Sequence, residues 1–170
     1  MKKLPVILTS CLILLFIVSS FPCISVLSLC GRKNPAKEYF HRIKRGDCFV
    51  ISYTHSVNKG RVHDIYQYTG GKKLLLDETE FVSYGAGIPE LEENEGAVFY
   101  QTSDSYVLKN LKREMESLVM AVGLIANHTI KFGLSDDLEE IPFTKFFEAQ
   151  TSVVISIKKV NLIEYLIYKI

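Results

Sequence analysis

The sequence predicts an all-β domain, an antiparallel sandwich or barrel-like meander with at most one or two short helices. Short runs rich in Val, Ile, Thr, Tyr and Phe follow one another along the chain, as β-strands do. Turn residues separate most of these runs, and Gly and Asn accept the backbone angles that tight turns need. The runs predicted as strands are residues 48–57, 61–68, 73–84, 97–101, 106–109, 118–124, 128–132 and 152–160.

Two connectors favour hairpins, Asn58-Lys59-Gly60 and Thr69-Gly70-Gly71, because both are short and contain glycine. Two other segments leave alternatives open. Residues 108–125 combine a partly helical pattern with an apolar run that suits a buried strand. Residues 164–170 are apolar at most positions and suit either a last strand or a hydrophobic tail packed on the domain.

The amino terminus has the pattern of an export signal. Lys2 and Lys3 precede an apolar run from Leu4 to Leu29, and the next charge is Arg32. The run exceeds the roughly 20 residues that span a bilayer, so it could equally remain as an uncleaved anchor. We therefore expect a signal peptide or membrane anchor at residues 1–30, a spacer at 31–38 and one extracytoplasmic domain at 39–170.

The cysteines bear on the anchor and on redox chemistry. Cys30 follows Leu27-Ser28-Leu29, which resembles a lipoprotein box except for the large Leu29, and Cys30 is the candidate lipidation site. Cys48 is the only cysteine in the predicted domain, which excludes a disulfide within the domain and a paired-cysteine zinc site. Its simplest role is a small buried hydrophobe at the start of a strand, and a reactive thiol is the alternative.

The charge balance argues against nucleic acid as a partner. The net charge is +1 and the isoelectric point is near 7.6, which provides no sustained positive field for a row of phosphates. No pattern in the chain indicates a cofactor. Gly85-Ala86-Gly87 lacks the third glycine and the following helix of a dinucleotide-binding loop.

Residues 49–89 resemble a family of extracytoplasmic bacterial domains of unknown function, often encoded beside, or fused to, the permease of a TAXI-type TRAP transporter. The resemblance is carried by Tyr53-Thr54-His55-Ser56-Val57-Asn58-Lys59, by Asp64-x-Tyr66 and by Ser83-Tyr84-Gly85-Ala86-Gly87-Ile88-Pro89. The family more often has glutamate where this chain has Asp64. The resemblance implies a bacterial membrane location, with the domain facing the periplasm or cell surface, and the transporter's membrane subunits as partners.

In residues 49–89, polar residues and glycines interrupt strand-like runs. A purely structural strand needs neither, so these interruptions indicate a functional site. The residues predicted to contact a ligand or partner are Tyr53, His55, Ser56, Asp64, Tyr66, Gly85 and Gly87. A serine nucleophile is disfavoured, because adjacent residues of a strand, such as His55 and Ser56, point to opposite faces. The structural alternative is that His55 donates a hydrogen bond to a backbone carbonyl oxygen or to Asp64 and so holds the hairpin in place.

Metal binding is weakly supported, since no closely spaced histidine pair is present, and no metal is expected. Together these observations predict a membrane-tethered accessory or binding protein, not an enzyme, associated with a TRAP-type transporter. The alternatives are a small extracytoplasmic enzyme, either metal-dependent or using His55 and Asp64 as an acid-base pair, and a structural envelope protein.

Overall fold

The computed structural model describes residues 8–11, 13, 16, 19–83 and 96–170. Within these ranges the chain forms eleven strands, a 3-10 helix at Phe143–Lys145 and, after the last strand, helix α1 at Leu162–Tyr168. The strands are β1 (Ile24–Gly31), β2 (Glu38–Arg42), β3 (Cys48–Thr54), β4 (Arg61–Gly70), β5 (Lys73–Phe81), β6 (Val98–Gln101), β7 (Tyr106–Met115), β8 (Ser117–Ala121), β9 (Thr129–Lys131), β10 (Ile141–Pro142) and β11 (Ser152–Val160).

The strands form two antiparallel sheets, which confirms the all-β prediction. One sheet has the order β2-β1-β11-β8 and the other the order β10-β9-β3-β4-β5-β7-β6. One apolar cluster joins them, since Leu27 and Ile155 of the first sheet belong to the same core as Phe49 and Leu74 of the second. The sheets therefore bury their facing sides against each other.

Both predicted hairpins are present. The Asn58-Lys59-Gly60 connector joins β3 to β4, and the Thr69-Gly70-Gly71 connector joins β4 to β5. In the first turn Lys59, not Gly60, takes the positive φ of 59°. At Gly60 the space is tight, because a Cβ there would lie 3.3 Å from the Cβ of Val82 and would push that side chain aside.

The structure extends the folded domain upstream of the predicted boundary at residue 39. Strand β1 lies between β2 and β11 and pairs with both, and Leu27 and Leu29 are fully buried. The segment is apolar because it forms an interior strand. An export leader has the same continuous apolar pattern. Residues 24–38 thus belong to the fold, and any signal cleavage that preserves it occurs before Ile24.

This arrangement argues against Cys30 as a lipidation site. Lipidation needs cleavage immediately before the cysteine, which would remove Ile24–Leu29 and leave β2 and β11 without the strand between them. Residues 8–11, 13, 16 and 19 are helical. No helix in the described part of the chain is both long enough and apolar enough to cross a bilayer.

The two open segments are also settled by the structure. The helical alternative for residues 108–125 is wrong, because residues 106–115 form β7 and residues 117–121 form β8. Residues 162–168 form α1, so the strand alternative is wrong, and the segment packs on the domain as a helix through Tyr165 and Tyr168. Its first turn is fixed by a capping box, in which Asn161 and Glu164 each bond the other's backbone N–H.

Candidate functional site

The β3–β4 hairpin and the adjoining β5 position the predicted site residues. In the paired register Asp64 of β4 lies between Ile51 of β3 and Thr79 of β5. Since side chains alternate along a strand, Asp64 shares its face with the buried Val62 and Tyr66. The register therefore turns a carboxyl group toward the core side of the sheet.

Asp64 is half-buried and has one polar partner among its cross-strand neighbours. The hydroxyl of Thr79 donates a hydrogen bond to Oδ1 of Asp64 at 2.8 Å. Burial raises the pKa of Asp64 to about 6, against a smaller opposing effect of the Thr79 hydrogen bond. The carboxyl group thus changes protonation close to neutral pH, which sequence reasoning alone did not anticipate.

Two predicted tyrosines neighbour this carboxyl group. Burial, with the Asp64 charge, raises the pKa of Tyr53 to about 12 and also raises that of Tyr66. Both phenols remain protonated and can donate hydrogen bonds. Tyr66 is only 3% exposed and stacks on Phe49 with ring centroids 5.2 Å apart, so its role is in the core. Tyr53 is half-buried and is the more accessible of the two.

His55 is buried in the turn that follows β3. Its Nδ1 accepts hydrogen bonds from the backbone N–H groups of Val57 and Asn58 at 3.3 and 3.4 Å. An accepting Nδ1 places the proton of the neutral ring on Nε2. The imidazole therefore holds the turn in place by accepting from two backbone amides, whereas the structural alternative had it donate to a carbonyl oxygen or to Asp64.

The register also separates His55 from Asp64. His55 lies opposite Gly60, bonding it through backbone N–H to O at 2.8 Å, whereas Asp64 lies opposite Ile51. Four strand positions correspond to about 13 Å. The two groups therefore do not lie opposite each other across the hairpin.

The remaining predicted residues lie at or beyond this turn. Ser56 is exposed, and its carbonyl oxygen accepts a hydrogen bond from Lys59 Nζ at 2.7 Å. The Asn58 side-chain amide donates to the carbonyl oxygen of Ser83 at 2.7 Å, which ties the turn to the end of β5. Gly85 and Gly87 lie outside the described residues.

A polar network occupies the opposite face of the same hairpin. Arg61 donates to the carbonyl oxygen of Asn127 at 2.7 Å, to Thr129 Oγ1 at 2.7 Å and to Glu140 Oε2 at 3.1 Å. Thr129 Oγ1 also donates to Glu140 at 2.7 Å. Burial would raise the pKa of Glu140, but its bonds to Thr129 and Arg61 outweigh that effect and lower it, so this carboxylate is ionised.

Ser52 and His63 complete this face without forming a catalytic triad. Ser52 Oγ lies 2.8 Å from Nδ1 of His63, and the nearest carboxylate oxygen, Glu140 Oε1, lies 3.9 Å from the same nitrogen. A triad needs the serine and the carboxylate on different ring nitrogens. Burial lowers the pKa of His63, so the ring is neutral near pH 7.

Replacing Arg61 with methionine is expected to lower the free energy of unfolding by about 1–2 kcal/mol, because three acceptors lose a charged donor at a partly exposed position. Urea titration followed by circular dichroism measures the change. Arg32→Met, at an exposed position, is the matched control. Equal stability of the two variants would show that the network contributes nothing.

Cys48 and the four histidines do not form a metal site. No group of at least three His, Cys, Asp or Glu side chains within the described ranges is arranged to hold a metal ion. His41 stacks on Phe132 with ring centroids 3.7 Å apart, and His128 stacks near Tyr53 at 5.7 Å. Burial raises the pKa of Cys48, so its thiol stays protonated and a reactive role is disfavoured.

The β3–β4 hairpin lies in a region of the chain that matches a known protein family. The family described as a domain of unknown function, DUF1850, matches residues 49–137, more than half of the chain. The chain belongs to this family. Comparison with curated proteins and with solved structures found no match.

The part matched by DUF1850 coincides with the strands that carry the candidate site. Residues 49–137 begin in β3, end after β9 and include Tyr53, His55 and Asp64. Strands β1, β2, β10 and β11 lie outside the match. The family identification thus rests on six strands of the seven-stranded sheet and on β8 of the other sheet.

Proposed function

We propose that this DUF1850 protein is a membrane-tethered, extracytoplasmic accessory or binding protein of a TRAP-type solute transporter, and that the β3–β4 turn is its contact surface. The observation that carries this proposal is a group of exposed apolar side chains at that end of the domain. They are Val57, Val82, Leu124 and Ile125. Exposed apolar groups that gather at one place are a mark of binding surfaces.

Hydrogen bonds hold the three segments that carry these side chains together. Asn58 ties the β3–β4 turn to Ser83, directly after Val82. The backbone N–H of Thr54 donates to the carbonyl oxygen of Ala126 at 2.6 Å, which fixes the loop after β8 beside β3. We call Val57, Val82, Leu124 and Ile125 the turn patch. A fixed patch loses little conformational entropy when it binds, which favours a partner-contacting role.

The membrane location and the kind of partner are supported by the sequence. Lys2, Lys3 and the following apolar segment fit an export signal or anchor, and the 49–89 resemblance supports a transporter subunit as partner. One form of the enzyme alternative uses His55 and Asp64 as an acid-base pair, and the distance of about 13 Å between their strand positions argues against direct contact between them. The other form is metal-dependent. That the protein is not an enzyme stays a prediction.

A photo-crosslinking amino acid at Val57 is expected to capture a transporter subunit in native membranes, because Val57 is exposed at the tip of the turn. Irradiation, denaturing purification and mass spectrometry would identify the captured protein. The matched control carries the crosslinker at Leu134, which is 56% exposed and follows β9 at the other end of the domain.

Capture from position 57 but not from position 134 would support the proposal. Capture of the same subunit from both positions would contradict a contact confined to the turn patch. Recovery of no transporter subunit from either position would contradict the accessory role itself.

A further inference from the structure

Helix α1 presents an apolar stripe to solvent. The stripe consists of Leu162, Ile163, Leu166 and Ile167, all exposed, and the exposed Ile170 follows it. Spacings of one, three and four residues place the four helical side chains on one side of the helix. A surface helix normally turns such a stripe inward, so its exposure indicates a surface that something else covers.

The opposite side of α1 is already packed. Tyr165 and Tyr168 lie against a small core formed by Val26, Phe40 and Val160 on the outer face of the four-stranded sheet. The rings of Phe40 and Tyr168 have centroids 5.4 Å apart. The helix is therefore held in place without using its apolar stripe, which stays available.

The stripe begins near the end of the domain where the amino-terminal apolar segment enters. Ile24, the first residue of β1, pairs with Val160, two residues before α1 begins. From there α1 runs beside β2, since Lys169, directly after it, pairs with Phe40. The segment before β1 also carries exposed apolar side chains, and the nearest to Ile24 is Phe21.

Basic side chains surround this end. Four that are exposed and lie at or beside the Ile24 end of the strands are Arg42, Lys44, Arg45 and Lys159. The acidic side chains close to them include Asp47, Glu116 and Glu164, and Asp47 is bonded to the backbone N–H of Lys44, while the further cations Lys72 and Lys158 lie beside Glu116. The excess of positive charge beside an apolar stripe complements anionic phospholipid headgroups.

We propose that α1 lies on the surface of a bilayer that contains anionic phospholipid, with Leu162, Ile163, Leu166 and Ile167 inserted at the headgroup boundary. This inference rests on the membrane tether of the proposed function and adds a second, non-covalent contact to it.

The chain contains no tryptophan, so a single introduced tryptophan reports on its own surroundings. The test places Leu166→Trp in the full-length protein, reconstituted into vesicles of phosphatidylcholine and phosphatidylglycerol with and without brominated acyl chains. Leu124→Trp is the matched control, because Leu124 and Leu166 are 70 and 54% exposed and lie at opposite ends of the domain. The vesicles contain no other protein, so the result does not depend on the transporter.

The proposal expects blue-shifted emission and bromine quenching for Leu166→Trp, and neither for Leu124→Trp. It also expects weaker quenching in vesicles of phosphatidylcholine alone. Blue-shifted emission without quenching would overturn it in favour of a second copy of the chain covering the stripe. Emission typical of water for Leu166→Trp, or quenching of Leu124→Trp instead, would overturn it as well.

Discussion

Replacing Leu27 with alanine is expected to lower the free energy of unfolding by about 2–5 kcal/mol, the usual cost of removing a leucine from a packed core. Leu27 has no exposed surface and belongs to the cluster that joins the two sheets. The neighbouring side chains come from paired strands and cannot collapse fully into the space left behind. Urea unfolding of the purified chain, followed by circular dichroism, measures the change in midpoint.

The matched control is Leu166→Ala on the exposed face of α1, where the same change of side chain removes little buried surface. In protein held in the same detergent, Leu166→Ala is expected to leave the midpoint close to that of the unaltered chain. A Leu27→Ala midpoint as high as that of the control would show that β1 is not part of the core. It would restore the domain boundary near residue 39.

Replacing Asp64 with asparagine is expected to raise the free energy of unfolding at pH 7 by up to about 3 kcal/mol, the equivalent of a pKa shift of about two units. Asparagine has nearly the same shape and can still accept the hydrogen bond of Thr79. It removes the charge that burial disfavours. Urea unfolding at a series of pH values measures the effect.

The sign of the pH dependence follows from the raised pKa. The folded protein holds its Asp64 proton up to about pH 6, whereas the unfolded chain releases it near the ordinary pKa of 3.8. Stability from this group is therefore fully present below the ordinary pKa, falls as the pH rises through this window and stays low above it. Asp64→Asn is expected to lack this fall.

Asp136→Asn, at an exposed position, is the control for the loss of a carboxylate as such. A flat stability of the unaltered protein across the window, or a loss of stability in Asp64→Asn at pH 7, would contradict the assignment. The expected result has a functional meaning, because a side chain that lowers stability at neutral pH is more often kept for a contact than for the fold.

Six strands of the seven-stranded sheet were predictable, at least in part, because they are short, separate and bounded by turn residues, whereas the two-residue β10 and the second half of β7 were not. Asn58-Lys59-Gly60 and Thr69-Gly70-Gly71 each lie between two runs of strand-forming residues, so local sequence determines both hairpins. Strand β1 was not predictable in the same way. Its residues continue the apolar run from Leu4, and nothing in the local pattern separates an interior strand from a leader.

The candidate site was predictable only in part, because local sequence patterns identify residues of one hairpin but not residues that distant segments contribute. Tyr53, His55 and Asp64 lie on one hairpin, and the interrupted strand pattern identifies them. The network around Arg61 joins Thr129 and Glu140, which are far away in the sequence and belong to no local motif. Only the pairing of β3 with β9 brings these segments together.

The pairing of β1 with β11 also governs how this protein reaches its native state. Ile24 pairs with Val160, so the four-stranded sheet joins residues that lie far apart in the sequence. Contacts between such distant residues slow folding, because a long loop must close before they form. We therefore expect the emerging chain to remain without this sheet until β11 has been synthesised. A delay of this kind fits the export that we propose, since it leaves the chain incompletely folded while β11 is still being made.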